Sequence, residues 1–332
     1  MQVASPGTAP VPGRAPGGTV EGNRRGGSDG PAQASPDGRA QPIAGWQARS
    51  PGTAPAVRLV ATDLDGTLLR PDGSVSERTV RAVRAAQAAG LLVVPVTGRP
   101  PRVTWEAASH AGLGPLGVCA NGAAIVEIPT MAVVESVTIA AEICHEIVLS
   151  VRSLLPGVLF AVEDLDSFTH EDGFMDPSWG WTDPAQEVDD IRRAIDGRCM
   201  KLVMRRPGWA AVELLAALQS EIAERGHLTS SGLDWVEVGA PGVSKAYALE
   251  RVCASLGVGV SEVLAVGDNH NDLTVLGWAA HAAAPANAIP EVLAAVDVVI
   301  PANTEDGVAV LLETLASSAG DVSSLSGHRH RR

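Results

Sequence analysis

Aromatic side chains are scarce: 3% of the 332 residues, with one Tyr and three Phe. Any core must therefore be built from Val, Leu, Ile and Ala, and an apolar content of 45% is enough to build one. Cysteine is also rare. Cys119, Cys144, Cys199 and Cys253 are far apart and form no Cys-x-x-Cys pair. That speaks against a zinc site or a disulfide framework and fits a reducing compartment. No apolar run approaches the length of a bilayer span, and no signal-type stretch opens the chain. No Gly-x-Gly-x-x-Gly follows the first strand-like run, which removes the dinucleotide-binding fingerprint. Positive charge is in deficit, with a formal net charge of −13, so nucleic acid and anionic membrane are poor candidates for the main partner. These deficits leave a soluble, cytoplasmic protein as the expectation, with monomer and homodimer both open.

Proline, glycine, alanine, serine and arginine crowd residues 1–55, where large aliphatic residues are few. Such a segment cannot bury enough surface to offset its ordering entropy and is expected to be a disordered tail. Residues 317–332 are expected to form a second tail. Between them, strand-like and helical patterns alternate. Residues 57–62 read as a strand buried on both faces. Ser76 caps a helix with Val80, Val83, Ala86 and Ala89 on its apolar face, closed by Gly90. Residues 91–96 form the next strand, in which Pro95 is expected to break the pairing locally. Runs at 117–120, 263–266, 282–284 and 296–300 complete the set. This alternation predicts an α/β fold, a Rossmann-like parallel-sheet core. The core is assigned to residues 56–137 and 239–316. Residues 138–238 read differently, with helical patterns at 140–155 and 209–225 and short apolar runs between, and are expected to form an inserted α+β cap domain.

Polar residues stand where the strands of this core end. The first strand runs into Asp63-Leu64-Asp65-Gly66-Thr67, the second into Thr97-Gly98-Arg99, and the run at 263–266 into Gly267-Asp268-Asn269-His270-Asn271-Asp272. Ligands of open α/β sheets bind at this end of the strands. Two carboxylates one residue apart at a buried strand end need a cation or a reacting phosphate as partner. Lys245 opens an amphipathic helix, a position the helix dipole disfavours for a cation unless an anion faces it.

In this order the four groups resemble the signature motifs of the haloacid-dehalogenase (HAD) superfamily of phosphatases, and the insert after Thr97 resembles the α/β cap of the Cof-type, subclass IIB members. Asn121-Gly122-Ala123, Asn287-Ala288 and Asn303-x-Glu305-Asp306-Gly307-Val308 also match. The resemblance spans residues 57–315. It departs at Ala246, where glycine is frequent, and at Pro285, where methionine is frequent.

The resemblance implies a Mg²⁺-dependent phosphomonoester hydrolase that acts on a small phosphorylated metabolite, a sugar phosphate first among them. Asp63 is the implied nucleophile, which forms an aspartyl-phosphate, and Asp65 the general acid and base. Thr97 and Lys245 complete the catalytic set. Gly98 and Asn271 bind the phosphoryl oxygens. Asp63, the Asp65 backbone carbonyl and Asp268 are the implied metal ligands, with Asp272 orienting Lys245 or a metal-bound water. Substrate selection falls to the cap, around residues 163–174 and Trp179 and Trp181, unless the two tryptophans fill the cap core. A phosphomutase or a dedicated sugar-phosphate phosphatase of the same cap class is the alternative. A non-catalytic binding protein on this scaffold is a weaker one.

Overall fold

The computed structural model describes residues 57–177 and 183–326, with side chains as far as residue 318. The expected tail over 1–55, the pair Trp179 and Trp181, and residues 327–332 lie outside the described residues. In chain order the strands are β1 (Leu59–Thr62), β2 (Leu92–Pro95), β3 (Leu116–Cys119), β4 (Ala124–Glu127), β5 (Ala132–Ser136), β6 (Leu159–Glu163), β7 (Phe168–Glu171), β8 (Ala185–Val188), β9 (Lys201–Arg205), β10 (His227–Thr229), β11 (Val236–Gly239), β12 (Val263–Val266), β13 (His281–Pro285) and β14 (Val298–Ile300). The helices are α1 (Glu77–Ala88), α2 (Pro101–Ala111), α3 (Ala141–Leu154), α4 (Ala211–Ile222), α5 (Lys245–Leu256), α6 (Leu273–Trp278), α7 (Pro290–Leu293) and α8 (Gly307–Ser326).

Five strands form a parallel sheet in the order β14-β13-β12-β1-β2. β1 is buried along its whole length, as its unbroken apolar run requires of a central parallel strand. Its register pairs Thr62 with Val266 of β12 on one side and with Pro95 of β2 on the other. The three strands therefore end level, and the residues just beyond them, Asp63, Gly267 and Val96, share one edge. α1 starts where Ser76 Oγ accepts the Thr79 amide at 3.0 Å, and it buries Val80, Val83 and Ala86.

The pairing of β2 with β1 is not broken at Pro95. The amides that bond β1 are those of Leu92 and Val96, at 2.8 Å to Arg58 and Thr62 carbonyls. Pro95 is out of phase with them, so its missing donor faces the outer side of an edge strand, where only isolated bridges form. The run at 117–120 does not extend the parallel sheet. β3 belongs to an antiparallel sheet of its own, β3-β4-β5, and pairs with the chain at the end of β2 through the parallel Val96–Val118 bridge. α8 also continues to Ser326, past residue 317 where the tail was expected to begin. Ser317 and Ser318 fold back onto the helix, their hydroxyls donating to the Glu313 and Thr314 carbonyls.

The inserted sheet has six strands in the order β10-β11-β9-β6-β7-β8, antiparallel except between β7 and β8. Strand alternation gives it two unlike faces. Phe160, Val162, Leu202, Met204, Val236 and Val238 join Ile147, Val151, Leu214 and Leu218 of α3 and α4 in one apolar cluster. Each such fully buried side chain contributes about 1.5–3 kcal/mol. The intervening residues are also buried, and three of them, Glu163, Lys201 and Glu237, are charged.

Candidate active site

Asp63 ends β1 with its amide donating to the Val266 carbonyl at 2.9 Å. Its side chain is almost fully buried, and Lys245 Nζ donates to its Oδ1 at 2.9 Å. Lys245 sits in the first turn of α5 behind an N-cap at Ser244, whose Oγ accepts the Tyr247 amide at 3.2 Å. The lysine side chain has 0% exposure and also donates to Asp272 Oδ1 at 2.6 Å. Asp272 Oδ2 accepts the amides of Asp268 and Asn269 at 2.9 and 3.0 Å. A single cation thus ties the end of β1 to the loop after β12. Burial lowers the affinity of Lys245 for its proton, but the Asp272 and Asp63 carboxylates outweigh that, and its pKa rises.

Burial, joined by the carboxylates of Asp272, Asp268 and Asp65, pushes the Asp63 carboxyl well above the usual range against the pull of Lys245. Burial first, then Asp272, pushes Asp268 up to about 7. Asp268 Oδ1 accepts the Thr67 hydroxyl at 2.6 Å. Carboxylate oxygens of Asp63, Asp268 and Asp272 lie within 4.8 Å of one another. Both oxygens of Asp272 are engaged, whereas Oδ2 of Asp63 and of Asp268 accepts no hydrogen bond from the described residues. Uncompensated carboxylate oxygens at short range, all hard donors, fit a small divalent cation. Gly66 closes the wall. It holds φ +74°, and a Cβ there would run into the Asp268 carboxylate.

Asp65 is placed differently. Its carboxylate is not part of the cluster of the other three and sits in the fork of Arg99, at 2.7 Å from Nε and 2.6 Å from Nη2, with its side chain 52% exposed. Arg99 therefore pairs with the acidic residue of the first motif. Thr97 is fully buried beyond β2, and its hydroxyl accepts the Arg99 amide at 3.1 Å. Asp63, Asp268, Asp272 and Lys245 are joined directly, and Thr97 and Gly98 lie at the next strand end.

Several residues hold this edge without having been given a role from sequence. Asn287 Nδ2 donates to the Gly66 carbonyl at 2.8 Å, and Asn303 Nδ2 to the Leu69 carbonyl at 2.8 Å, so the two asparagines clamp the first motif loop. Asn121 adopts φ +56°, which asparagine tolerates. Next to it, a Cβ on Gly122 would collide with the Ser244 carbonyl, so this turn packs directly on the start of α5. A buried chain crosses from here to the inserted sheet. Asn271 Nδ2 donates to Asn121 Oδ1 at 3.0 Å, and Asn121 Nδ2 to Glu237 Oε2 at 2.9 Å. Lys201 Nζ donates to Glu237 Oε1 at 2.6 Å and to the Gly98 carbonyl at 2.9 Å. Burial resists the ionised form of Glu237, but Lys201 and the hydrogen bonds outweigh it, and its pKa is lowered. The sequence signal was a charged residue set into each of two apolar cap runs.

Of the span expected to select substrate, much is occupied by packing. Phe168 and Phe174 join Ala161, Val203 and Trp235 in a small apolar cluster. Glu171 accepts the amides of Phe160 and Ile191 at 3.0 Å each and pairs with Arg152. Glu163 is different. Arg102 Nη1 of α2 stands 2.6 Å from its Oε1, an ion pair outside hydrogen-bond alignment, and burial pushes its carboxyl up to about 7 against Lys201 and Arg102.

The chain matches the haloacid dehalogenase-like hydrolase family over residues 60–312 and belongs to that family. A 5-amino-6-(5-phospho-D-ribitylamino)uracil phosphatase of Bacillus subtilis, YcsE, is 28% identical over 76% of this chain and 93% of its own length. An HMP-PP phosphatase of Cronobacter sakazakii is 26% identical over 71% of this chain and 87% of its own. The solved structure of the HAD subclass IIB sugar phosphatase BT4131 shares the fold, with a TM-score of 0.68 at 20% identity over 78% of this chain and 98% of that one. No described helix is long and apolar enough to cross a membrane.

Proposed function

We propose that this chain is a Mg²⁺-dependent phosphomonoesterase that acts on a small phosphorylated metabolite, sugar phosphates first, through an aspartyl-phosphate on Asp63. The observation that carries this reading is the buried Lys245 bridging Asp63 and Asp272 beside the Asp268 carboxylate. The relatives named above as phosphatases of small phosphorylated compounds support it. Four free, buried cysteines fit a cytoplasmic setting.

Asp63 Oδ2 attacks phosphorus while the bond to the leaving oxygen breaks, and Asp65 delivers a proton to that oxygen. Water then attacks the aspartyl-phosphate, Asp65 takes its proton, and Asp63 is released with inorganic phosphate. Asp65 suits both transfers because its carboxylate stands at the exposed mouth of the site. Lys245 holds Asp63 in place and offsets negative charge as the phosphoryl group approaches. Thr97, the Gly98 amide and Asn271 face the phosphoryl oxygens. Asp63, the Asp65 carbonyl and Asp268 would hold the metal, which when bound screens the repulsion between carboxylate and phosphate.

The test is release of inorganic phosphate from p-nitrophenyl phosphate and a panel of phosphorylated metabolites, with EDTA and with Mg²⁺ restored. Release that requires Mg²⁺ is expected, and a rate indifferent to EDTA contradicts the metal assignment. Release with a plain substrate and no bisphosphate activator separates a phosphatase from a mutase.

Affinity for Mg²⁺ should fall with pH. With the Asp268 carboxyl at about 7, binding must displace a proton below that pH. Calorimetry should give a Kd about tenfold weaker at pH 6 than at pH 8. In the metal-free protein the same raised pKa works the other way: stability declines as pH rises through about 7, because the folded state holds a proton the unfolded state has released. The gain in melting temperature on adding Mg²⁺ should thus be larger at pH 8 than at pH 6, and an equal gain at both sinks the assignment of Asp268.

Gly66→Ala is expected to displace the Asp268 carboxylate and to weaken Mg²⁺ binding by about 10–100-fold. Calorimetric titration of the folded variant checks it, and wild-type affinity would exclude Gly66 as part of the cradle.

A further inference from the structure

One buried ion pair lies outside the set of phosphate-facing residues. Lys201 and Glu237 are carried by β9 and β11, neighbours in the inserted sheet, and are 5% and 2% exposed. Their strand neighbours Leu202, Val236 and Val238 pack against α3 and α4, so alternation points the charged pair to the opposite face. Packing alone does not call for charge there, because an apolar pair of similar volume serves a core at least as well as a buried ion pair.

The pair's charges reach the parallel-sheet module at two points. Lys201 Nζ, besides binding Glu237, fixes the Gly98 carbonyl at 2.9 Å. The Glu237 carboxylate imposes a direction on two amides, since an ionised carboxylate only accepts. It takes Asn121 Nδ2, which turns Asn121 Oδ1 toward Asn271, and that in turn takes Asn271 Nδ2. Without the carboxylate, either asparagine could flip with little cost. Both branches end in one place. A Cβ built on Gly98 would stand 3.0 Å from Asn121 Oδ1 and 3.4 Å from Asn271 Nδ2. The Asn271 amide is also held to the inserted sheet from its backbone, its N–H donating to the Ser230 carbonyl at 3.1 Å.

We infer that Lys201 and Glu237 are positioning residues for phosphoryl transfer. Lys201 anchors the loop that carries the Gly98 N–H through the next carbonyl along, and Glu237 sets the Asn271 side-chain amide through Asn121, so that the two N–H donors converge on one phosphoryl group. The inserted sheet thereby completes the phosphate site as well as covering it. This inference rests on the phosphomonoesterase reading above.

The test uses the full chain and two variants. Lys201→Met/Glu237→Met removes both charges together, so neither is left buried alone. Asn121→Gly cuts the branch to Asn271, leaves the ion pair in place and suits the left-handed backbone. With p-nitrophenyl phosphate and Mg²⁺, each variant should lose about 10–100-fold in kcat, with KM changed by less than about threefold. The inhibition constant of orthovanadate, a mimic of the transferring phosphoryl group, should rise in parallel. A purely structural role moves the melting temperature without this split. Values of kcat and of the vanadate constant within about twofold of the parent in Asn121→Gly overturn the inference, whether or not the double variant folds. A parent protein that releases no phosphate from any substrate instead sinks the phosphomonoesterase reading. Calorimetric binding of inorganic phosphate then decides on the pair: weakening by a similar factor in Asn121→Gly supports it, and unchanged affinity refutes it.

Discussion

Replacing Asp63 by asparagine is expected to lower kcat for p-nitrophenyl phosphate by about 10⁴-fold or more, the scale of removing a covalent nucleophile. The fold should survive, for a local reason. The Asp63 carboxyl is pushed up by burial and by the nearby carboxylates of Asp272, Asp268 and Asp65, so a neutral amide relieves repulsion. Its carbonyl oxygen can still accept from Lys245, which keeps its second partner in Asp272. Circular dichroism and thermal melting should therefore match wild type while turnover disappears. Turnover within about tenfold of wild type would mean that another group accepts the phosphoryl moiety.

Lys245→Met is expected to damage stability as well as rate. The Lys245 side chain is wholly enclosed, and its ammonium is held by Asp63 and Asp272 at 2.9 and 2.6 Å. Methionine fills much of the same volume and removes the charge. Two buried carboxylates are then left facing each other, a loss of about 3–5 kcal/mol for a broken buried pair. For a domain of this size that is a fall in melting temperature of about 10 °C. Mg²⁺ should recover part of it by binding the freed carboxylates, whereas kcat should stay depressed by about 10²-fold or more, because the cation that holds the nucleophile is gone. A melting temperature within about 2 °C of wild type would show that the pair adds nothing to the fold.

What the sequence discloses here is what its local chemistry can encode. Asp63 and Asp268 stood out as candidates because each lies just past an apolar run, and β1, β2, β12, β13 and β14 followed from short, mainly apolar runs. Ser76 announced α1 through its cap. β7 was missed because Phe168-Thr169-His170-Glu171 carries too few apolar residues to read as a strand; it is buried through partners such as Arg152 and Phe174. β3 was assigned to the wrong sheet because an apolar run records burial and not which strand it pairs with: it lies parallel to the end of β2, but its ladder is with β4. The chain linking Asn271, Asn121, Glu237 and Lys201 spans separations of 150, 116 and 36 residues, and no periodicity carries that information. Asp65 was assigned the general acid and base role from the motif, whereas its fork with Arg99 depends on where the turn after Thr97 points and was not legible.

On the proposed mechanism, Asp63 takes the phosphoryl group at an edge built by three strand ends and one buried lysine. Acid-quenching the enzyme during turnover of p-nitrophenyl phosphate with Mg²⁺, followed by mass spectrometry of the digest, measures this directly. A phosphoryl adduct on Asp63, labile to hydroxylamine and missing in Asp63→Asn, is the predicted result. An adduct on any other residue, or steady turnover with Asp63 unmodified under trapping conditions, would contradict it.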